Sequence, residues 1–282
     1  MARSASQLSH RIGRRSFLRS ATRAGLFAAT VPALSLLGGA APASSARRVV
    51  GCIKPRPEST SLAELKQLLP SEIQLVPLYL NVAYGTREEF SNAFPIYERH
   101  LTTLAAQRCD LISIEGAPPF MLIGREAETR MVDGWKQKYG IDMFTSAQNQ
   151  VNVLRAIKAT RILGITSFGA DMNRSYAKYF EDSGITVVAM EGMDVPFGSI
   201  SDTPPETIYS FISTKFRERR GAEAIYILGS GMRALELIAR LEQTLGVPVV
   251  QPIAARSWEI QRRLHIRHPT KGYGRLLETL PA

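Results

Sequence analysis

The chain has 282 residues, 21% of them charged, with a formal charge of +10, 45% hydrophobic residues and only two cysteines. That length and apolar content support one large or two small α/β domains. They exclude a disulfide framework, and the absence of a basic stripe interleaved with aromatics excludes a nucleic-acid reader.

Residues 1–46 read as an export segment. Arg14-Arg15-Ser16-Phe17-Leu18-Arg19 precedes an Ala/Leu/Gly-rich apolar run over 24–41, and small residues offer cleavage after Ala43 or Ala46. A charged region, an apolar region and a small-residue cleavage site make a signal peptide too short for a stable membrane span. The paired arginines resemble a twin-arginine signal, so the expected partner is that export machinery and the expected location periplasmic or secreted. The leader's six arginines take the formal charge from +10 to +4 when it is removed, leaving 236 residues. Much of the remaining excess lies in the tail (Arg256, Arg262, Arg263, Arg267, Lys271, Arg275), which reads as a solvated helix face.

In chain order, 48–54 (RVVGCIK) reads as a first strand, ending in a Pro-rich loop that carries Arg56 and Glu58. A short helix over 62–69 follows, then a strand over 72–79, which Pro77 marks as an edge or distorted strand. Phe90, Phe94, Tyr97, Leu101 and Leu104 recur at helical spacing over 87–107. The strand 110–114 runs into Glu115-Gly116-Ala117-Pro118-Pro119 and a helix reaching Tyr139, with Gly140 as C-cap. A strand over 141–145 closes a first lobe, 47–145. The second lobe, 146–252, holds helix 147–159, strand 161–165, the turn Thr166-Ser167-Phe168-Gly169, helix 172–182, strand 185–190, helix 206–220 and strand 224–228. Its most pointed feature is EAIYILGSGMRALELIARLEQTLGVPVVQP (223–252), in which an apolar run meets Gly229-Ser230-Gly231, then a helical pattern, Gly246 and a short apolar run. This is a βαβ unit, and ligands of parallel sheets bind beyond the carboxyl ends of strands, so Gly229–Met232 is the first candidate site. A last helix over 253–264 and the basic tail complete the chain, expected to pack back on the first lobe.

The alternation of strands and helices predicts an α/β fold with mainly parallel sheets. Strand 110–114 with Gly116 is echoed by strand 224–228 with Gly229, which predicts two similar lobes whose turns face one cleft. Cys52 lies within a strand and Cys109 just before one, so both read as buried, inert thiols; no metal-ligand cluster is present.

Three pieces carry a resemblance: CDLISIEGAPPFMLIG (109–124), RILGITSFGADMNRSYAKYFEDSGITVV (161–188) and AIYILGSGMRALELIARLEQTLGVPVV (224–250). They resemble the aspartate/glutamate racemase superfamily, in its maleate cis-trans isomerase and arylmalonate decarboxylase branch. The resemblance implies two lobes closing over a small carboxylate, no cofactor, and cysteine thiols at two equivalent strand ends. Those positions fall here on Gly116 and Gly229, both glycine, while Ala117-Pro118-Pro119 and Phe168 replace hydroxyl-bearing residues. The expected activity is therefore proton transfer or decarboxylation at the α-carbon of a small carboxylic acid without thiols. The alternative is a non-catalytic periplasmic carboxylate-binding protein using the same cleft.

Within that reading Glu115 is the candidate acid/base, Ser230 a hydrogen-bond donor to a developing enolate, and Arg56 a carboxylate clamp with Glu58 as a second acid/base. Gly116, Ala117, Thr166, Ser167, Phe168, Gly229, Gly231 and Met232 complete the expected substrate-binding set. The Gly-Ser-Gly turn is expected to form an anion nest at a helix N-terminus, making the second lobe the polar side of the pocket.

Overall fold

The computed structural model describes residues 47–57 and 60–282. The export segment, Glu58 and Ser59 lie outside the described residues. Two four-stranded parallel sheets organise the rest. The first contains β1 (Arg48–Lys54), β2 (Ile73–Tyr79), β3 (Leu111–Ile114) and β4 (Met143–Thr145), in the order β2-β1-β3-β4. The second contains β5 (Arg161–Thr166), β6 (Thr186–Gly192), β7 (Ala224–Ile227) and β8 (Val249–Val250), in the order β6-β5-β7-β8. Each sheet runs second, first, third, fourth, so the echo between the segments before Gly116 and Gly229 is an equivalence of β3 with β7.

In both sheets the chain leaves the first strand on one side and returns on the other. The carboxyl ends of β1 and β3, and of β5 and β7, are therefore topological switch points, where crossover loops diverge and leave a crevice. Pro77 sits in β2, an edge strand that pairs only with β1, where a missing N–H costs no ladder bond on the open side.

The helices are α1 (Ser61–Gln67), α2 (Arg87–Ser91), α3 (Phe94–Ala106), α4 (Ala117–Ile123), α5 (Arg125–Tyr139) and α6 (Ser146–Ala156). They continue with α7 (Ala170–Glu181), α8 (Pro205–Glu218), α9 (Ile238–Leu245), α10 (Pro252–Arg263) and α11 (Arg275–Thr279). Two helices expected to be continuous are each broken. Between α2 and α3 the cause is Pro95, whose ring and missing N–H forbid helical bonding back to Ser91. Gly124, at φ 87°, separates α4 from α5.

The larger departure follows β7. No α-helix starts at Gly231: residues 228–234 form an irregular turn, a single 3₁₀ turn spans Leu235–Leu237, and α9 begins only at Ile238. Gly229-Ser230-Gly231 is thus a loop rather than a helix N-terminus, and the expected helix-end anion nest is not formed.

The C-terminal segment also departs from a solvated face. Pro252 to Gln261 of α10 are all buried. Its apolar residues Ile253, Ala254, Ala255, Trp258 and Ile260 are buried together with Arg256, Ser257, Glu259 and Gln261, which places most of the helix in the core. Asn149 Nδ2 donates to the Ala255 carbonyl at 3.0 Å, and Ser257 Oγ donates to the Leu68 carbonyl at 3.1 Å, tying α10 to α6 and to the end of α1.

Candidate active site

A cavity of about 90 Å³ lies where the switch points meet. In the same measure one water needs at least ~10–15 Å³, so the space suits a small organic molecule. Its floor is built from the ends of β1 and β3. The β1–β3 register aligns Ile53 with Ile114, and Glu115 N donates to the Ile53 carbonyl at 2.7 Å, extending the ladder by one residue. Lys54 and Glu115 therefore stand side by side on one face. Lys54 Nζ donates to Glu115 Oε2 at 2.8 Å and to Ser61 Oγ, at the start of α1, at 2.7 Å.

Arg256 arrives from α10. Its Nη1 lies 3.1 Å from Glu115 Oε2, and its Nη2 donates to Ser146 Oγ at 3.2 Å. Lys54, Arg256 and Glu115 are 1%, 2% and 0% exposed. Lys54 and Arg256 line the cavity; Glu115 lies behind them. Two buried cations thus share one carboxylate, and the group carries a formal charge of +1. Burying a charge without a partner costs several kcal/mol, so the arrangement favours an anion in the cavity.

The hydrogen-bond inventory leads to the same place. Among the described residues Arg256 Nε and Nη1 find no hydrogen-bond acceptor, nor does Gln150 Oε1 or the Tyr226 hydroxyl find a partner, and all three residues line the cavity. Buried polar groups are nearly always satisfied, so a cluster of unsatisfied ones around one space marks a polar contact surface. Burial holds the Tyr226 hydroxyl well above its usual range, so it enters as a neutral donor or acceptor.

The opposite wall is apolar and comes from the second lobe. Phe168, Phe197, Ile200 and Leu228 line it, with Phe168 and Phe197 centroids 6.2 Å apart. The Arg56 guanidinium lies 5.5 Å from the Phe197 ring, and its Nη1 donates to the Phe197 carbonyl at 3.4 Å. This contact joins the β1–α1 loop to the 3₁₀ segment Phe197–Asp202 over the cavity. The walls are therefore not divided as expected: the cations come from the first lobe and α10, while the second lobe supplies the aromatic wall together with the polar Gln150 and Tyr226.

Of the residues singled out from sequence, Arg56, Gly116, Ala117, Ser167, Phe168, Gly229, Ser230 and Gly231 line this cavity. Three do not. Glu115 does not line the cavity: its carboxylate is taken up by Lys54 and Arg256, which stand between it and the space. Thr166 is fully buried, its hydroxyl accepting from Phe168 N at 3.0 Å and donating to Asn173 Oδ1 at 2.6 Å, so it shapes the turn rather than touching a ligand. Met232 is 1% exposed and packs into the core. Glu58 lies outside the described residues.

Both cysteines are free and buried. Burial, and then the nearby Glu115 charge, push the Cys52 thiol up to about 12, which makes it inert. The two glycines differ in the room they leave. A Cβ on Gly116 (φ 91°) would lie 3.1 Å from the Tyr97 hydroxyl, which donates to the Glu115 carbonyl at 2.9 Å. A Cβ on Gly229 (φ 110°) would meet nothing within 4 Å.

Sequence reasoning missed Lys54, Ser61, Ser146, Gln150, Tyr226 and Arg256. For two of these a signal existed: Lys54 closes the strand that neighbours Glu115 at a switch point, and Arg256 directly follows the apolar run Pro252–Ala255, where a buried guanidinium requires a partner.

The arylmalonate decarboxylase family model matches residues 50–277. The chain is 20% identical over 231 residues to an arylmalonate decarboxylase of Bordetella bronchiseptica, a match covering 81% of this chain and 96% of that protein. The maleate isomerase of Pseudomonas putida S16 superposes with a TM-score of 0.76 at 19% identity, over 83% of this chain and 99% of its own. A maleate cis-trans isomerase of Nocardia farcinica, solved as a cysteine-to-serine mutant with a covalently bound succinylcysteine intermediate, superposes with a TM-score of 0.76 at 21% identity, over 82% and 98%. With the sheet order, the switch-point cavity and a family match across 50–277 in agreement, the chain belongs to the arylmalonate decarboxylase family, within the branch that includes the maleate isomerases.

Proposed function

We propose that this protein binds a small carboxylate bearing an apolar group and acts on it at the α-carbon, by decarboxylation or proton transfer, without a cysteine thiol and without a cofactor. The observation that carries this is the buried pair Lys54 and Arg256, set beside one shared carboxylate and lining a cavity walled by Phe168 and Phe197. A ligand carboxylate placed against the cations completes their charge and accepts from the unsatisfied Arg256 donors. The apolar wall takes an aryl or alkyl group, and the size of the cavity limits it to roughly one ring.

The same cations supply what the reaction needs. Breaking a bond at the α-carbon of a carboxylate moves charge onto the carboxylate oxygens as an enediolate. Fixed positive charge in a dry site stabilises that charge without reorganising. The relatives named above, a decarboxylase and two maleate isomerases, support this class of reaction.

The test is a panel of phenylmalonate, alkylmalonates, maleate and phenylacetate, scored for the melting temperature of the protein, CO2 release, and α-deuterium incorporation in D2O. Stabilisation by aryl or alkyl carboxylates together with turnover or exchange is expected. No stabilisation by any of them contradicts the site, and binding without either chemical signal favours the non-catalytic alternative.

We propose further that residues 1–46 direct twin-arginine export. Mass spectrometry of the periplasmic or secreted protein should find a new N-terminus after Ala43 or Ala46; an unprocessed chain retained in the cytoplasm contradicts it.

A further inference from the structure

We infer that Lys54 is the catalytic acid of this site, delivering through its Nζ the proton that the missing thiols would carry. The inference rests on the reading of the cavity as a carboxylate site and names the group that completes the reaction there. Neither strand-end glycine bears a proton donor, Glu115 is turned behind the cations, and both cysteines are buried away from the cavity. Among the described ionisable side chains that line the cavity, Arg56 and Arg256 are guanidinium groups, which do not give up a proton in proteins. The Tyr226 hydroxyl is held well above its usual range. Lys54 is left.

Its geometry fits the task. An ammonium has three N–H donors. Two are committed, to Ser61 Oγ at 2.7 Å and Glu115 Oε2 at 2.8 Å, which fixes the nitrogen and leaves one N–H for a ligand in the cavity. Glu115 holds the ammonium in place, and so is a positioning residue that need not touch the substrate. Arg256, beside the same carboxylate oxygen, holds a ligand carboxylate while Lys54 is consumed.

For a substituted malonate the step balances as follows. The bond from the α-carbon to one carboxylate carbon breaks, and its electron pair stays on the α-carbon as the enediolate of the other carboxylate. CO2 leaves. The α-carbon then takes a proton from Lys54 Nζ, giving the monocarboxylate product and a neutral amine, which regains a proton from water as product departs. α-Proton exchange is that last step run backwards: the neutral amine of Lys54 takes the α-proton, exchanges it with solvent and returns a deuteron.

The experiment compares wild type, K54R and K54A, with melting temperatures and phenylmalonate binding measured on each. K54R keeps the positive charge but not a donor able to release its proton. It is expected to bind phenylmalonate within about threefold of wild type and to lose roughly 10²–10⁴-fold in kcat, the usual contribution of a positioned acid. K54A is expected to lose both binding and turnover. Either variant retaining CO2 release or α-deuterium exchange within threefold of wild type overturns the inference, and K54A provides the reading if K54R does not fold. Wild-type protein that binds panel carboxylates but neither releases CO2 nor exchanges deuterium also overturns it, while leaving the binding site intact. Wild-type protein that binds none of them instead refutes the site itself, so the two failures are distinguishable.

Discussion

Glu115 Oε2 accepts from Lys54 and is ion-paired with Arg256, while its Oε1 has no partner among the described residues. A single carboxylate oxygen holding two buried cations is an unusual concentration of charge, and its removal is correspondingly costly. Removing one member of a buried ion pair destabilises by about 3–5 kcal/mol, because the remaining charge is left without compensation. Glu115→Gln is therefore expected to lower the melting temperature by about 10 °C, at roughly 2–4 °C per kcal/mol for a chain of this size. Thermal unfolding followed by circular dichroism checks this. A shift under about 2 °C would mean that Glu115 does not hold the cations together. Cys52 and Cys109 give a second test at this scale. With the Cys52 thiol pushed up to about 12 and both side chains buried, native protein should resist iodoacetamide at neutral pH and be alkylated only after unfolding.

At the level of elements, the strand ends decide what the site can be. The two glycines that follow β3 and β7 both have positive φ, at 91° and 110°, where a side chain costs about 1–2 kcal/mol. The added crowding differs: a Cβ at Gly116 presses on the Tyr97 hydroxyl, while one at Gly229 enters open space. G229C should therefore fold with only that backbone cost and present a thiol that iodoacetamide modifies in the native state. G116C should be the less stable of the two in urea denaturation. A G229C thiol as unreactive as the native cysteines would contradict the position of this turn on the cavity wall.

Much of this level was legible in the sequence. Apolar runs ending at glycine located β3 and β7, and their echo anticipated the repeated sheet order. What could not be read was orientation. Glu115 was legible as a residue at a switch point. That its side chain lies behind the floor depends on Lys54 and on Arg256, which arrives from α10 far along the chain, rather than on local sequence. The loop after Gly229 likewise carries helix-compatible residues, yet α9 starts seven residues past Gly231, so tertiary packing overrode local preference. Arg256 was hidden by its neighbours in sequence, since the basic residues that follow it gave the segment the look of a surface.

Across the whole molecule, a second buried polar group ties the two lobes together. Glu128 of α5 accepts from Tyr179 of α7, from Thr145 at the end of β4, and from Arg125 Nη1 at 3.3 Å, and Arg125 Nη1 also reaches the Tyr179 hydroxyl at 3.1 Å. Burial raises the Glu128 carboxyl above its ordinary 4.5, and the hydrogen bonds and Arg125 only partly oppose it. A raised carboxyl in the folded state binds its proton more tightly than in the unfolded chain. Its contribution to stability is then full below the ordinary value and is lost as pH rises through the raised one. Urea unfolding of wild type should show that decline, and Glu128→Gln should remove it; an identical pH profile in both proteins would assign the decline elsewhere.

The account turns on whether the cavity between the lobes is an anion site built on Lys54 and Arg256. The most direct measurement is a calorimetric titration of phenylmalonate into wild type and Arg256→Met, with both proteins shown to be folded. Hydrogen bonds to charged groups contribute about 1.5–3 kcal/mol, so wild type should bind saturably and Arg256→Met at least roughly tenfold more weakly. Binding of equal strength in the two proteins would contradict the claim.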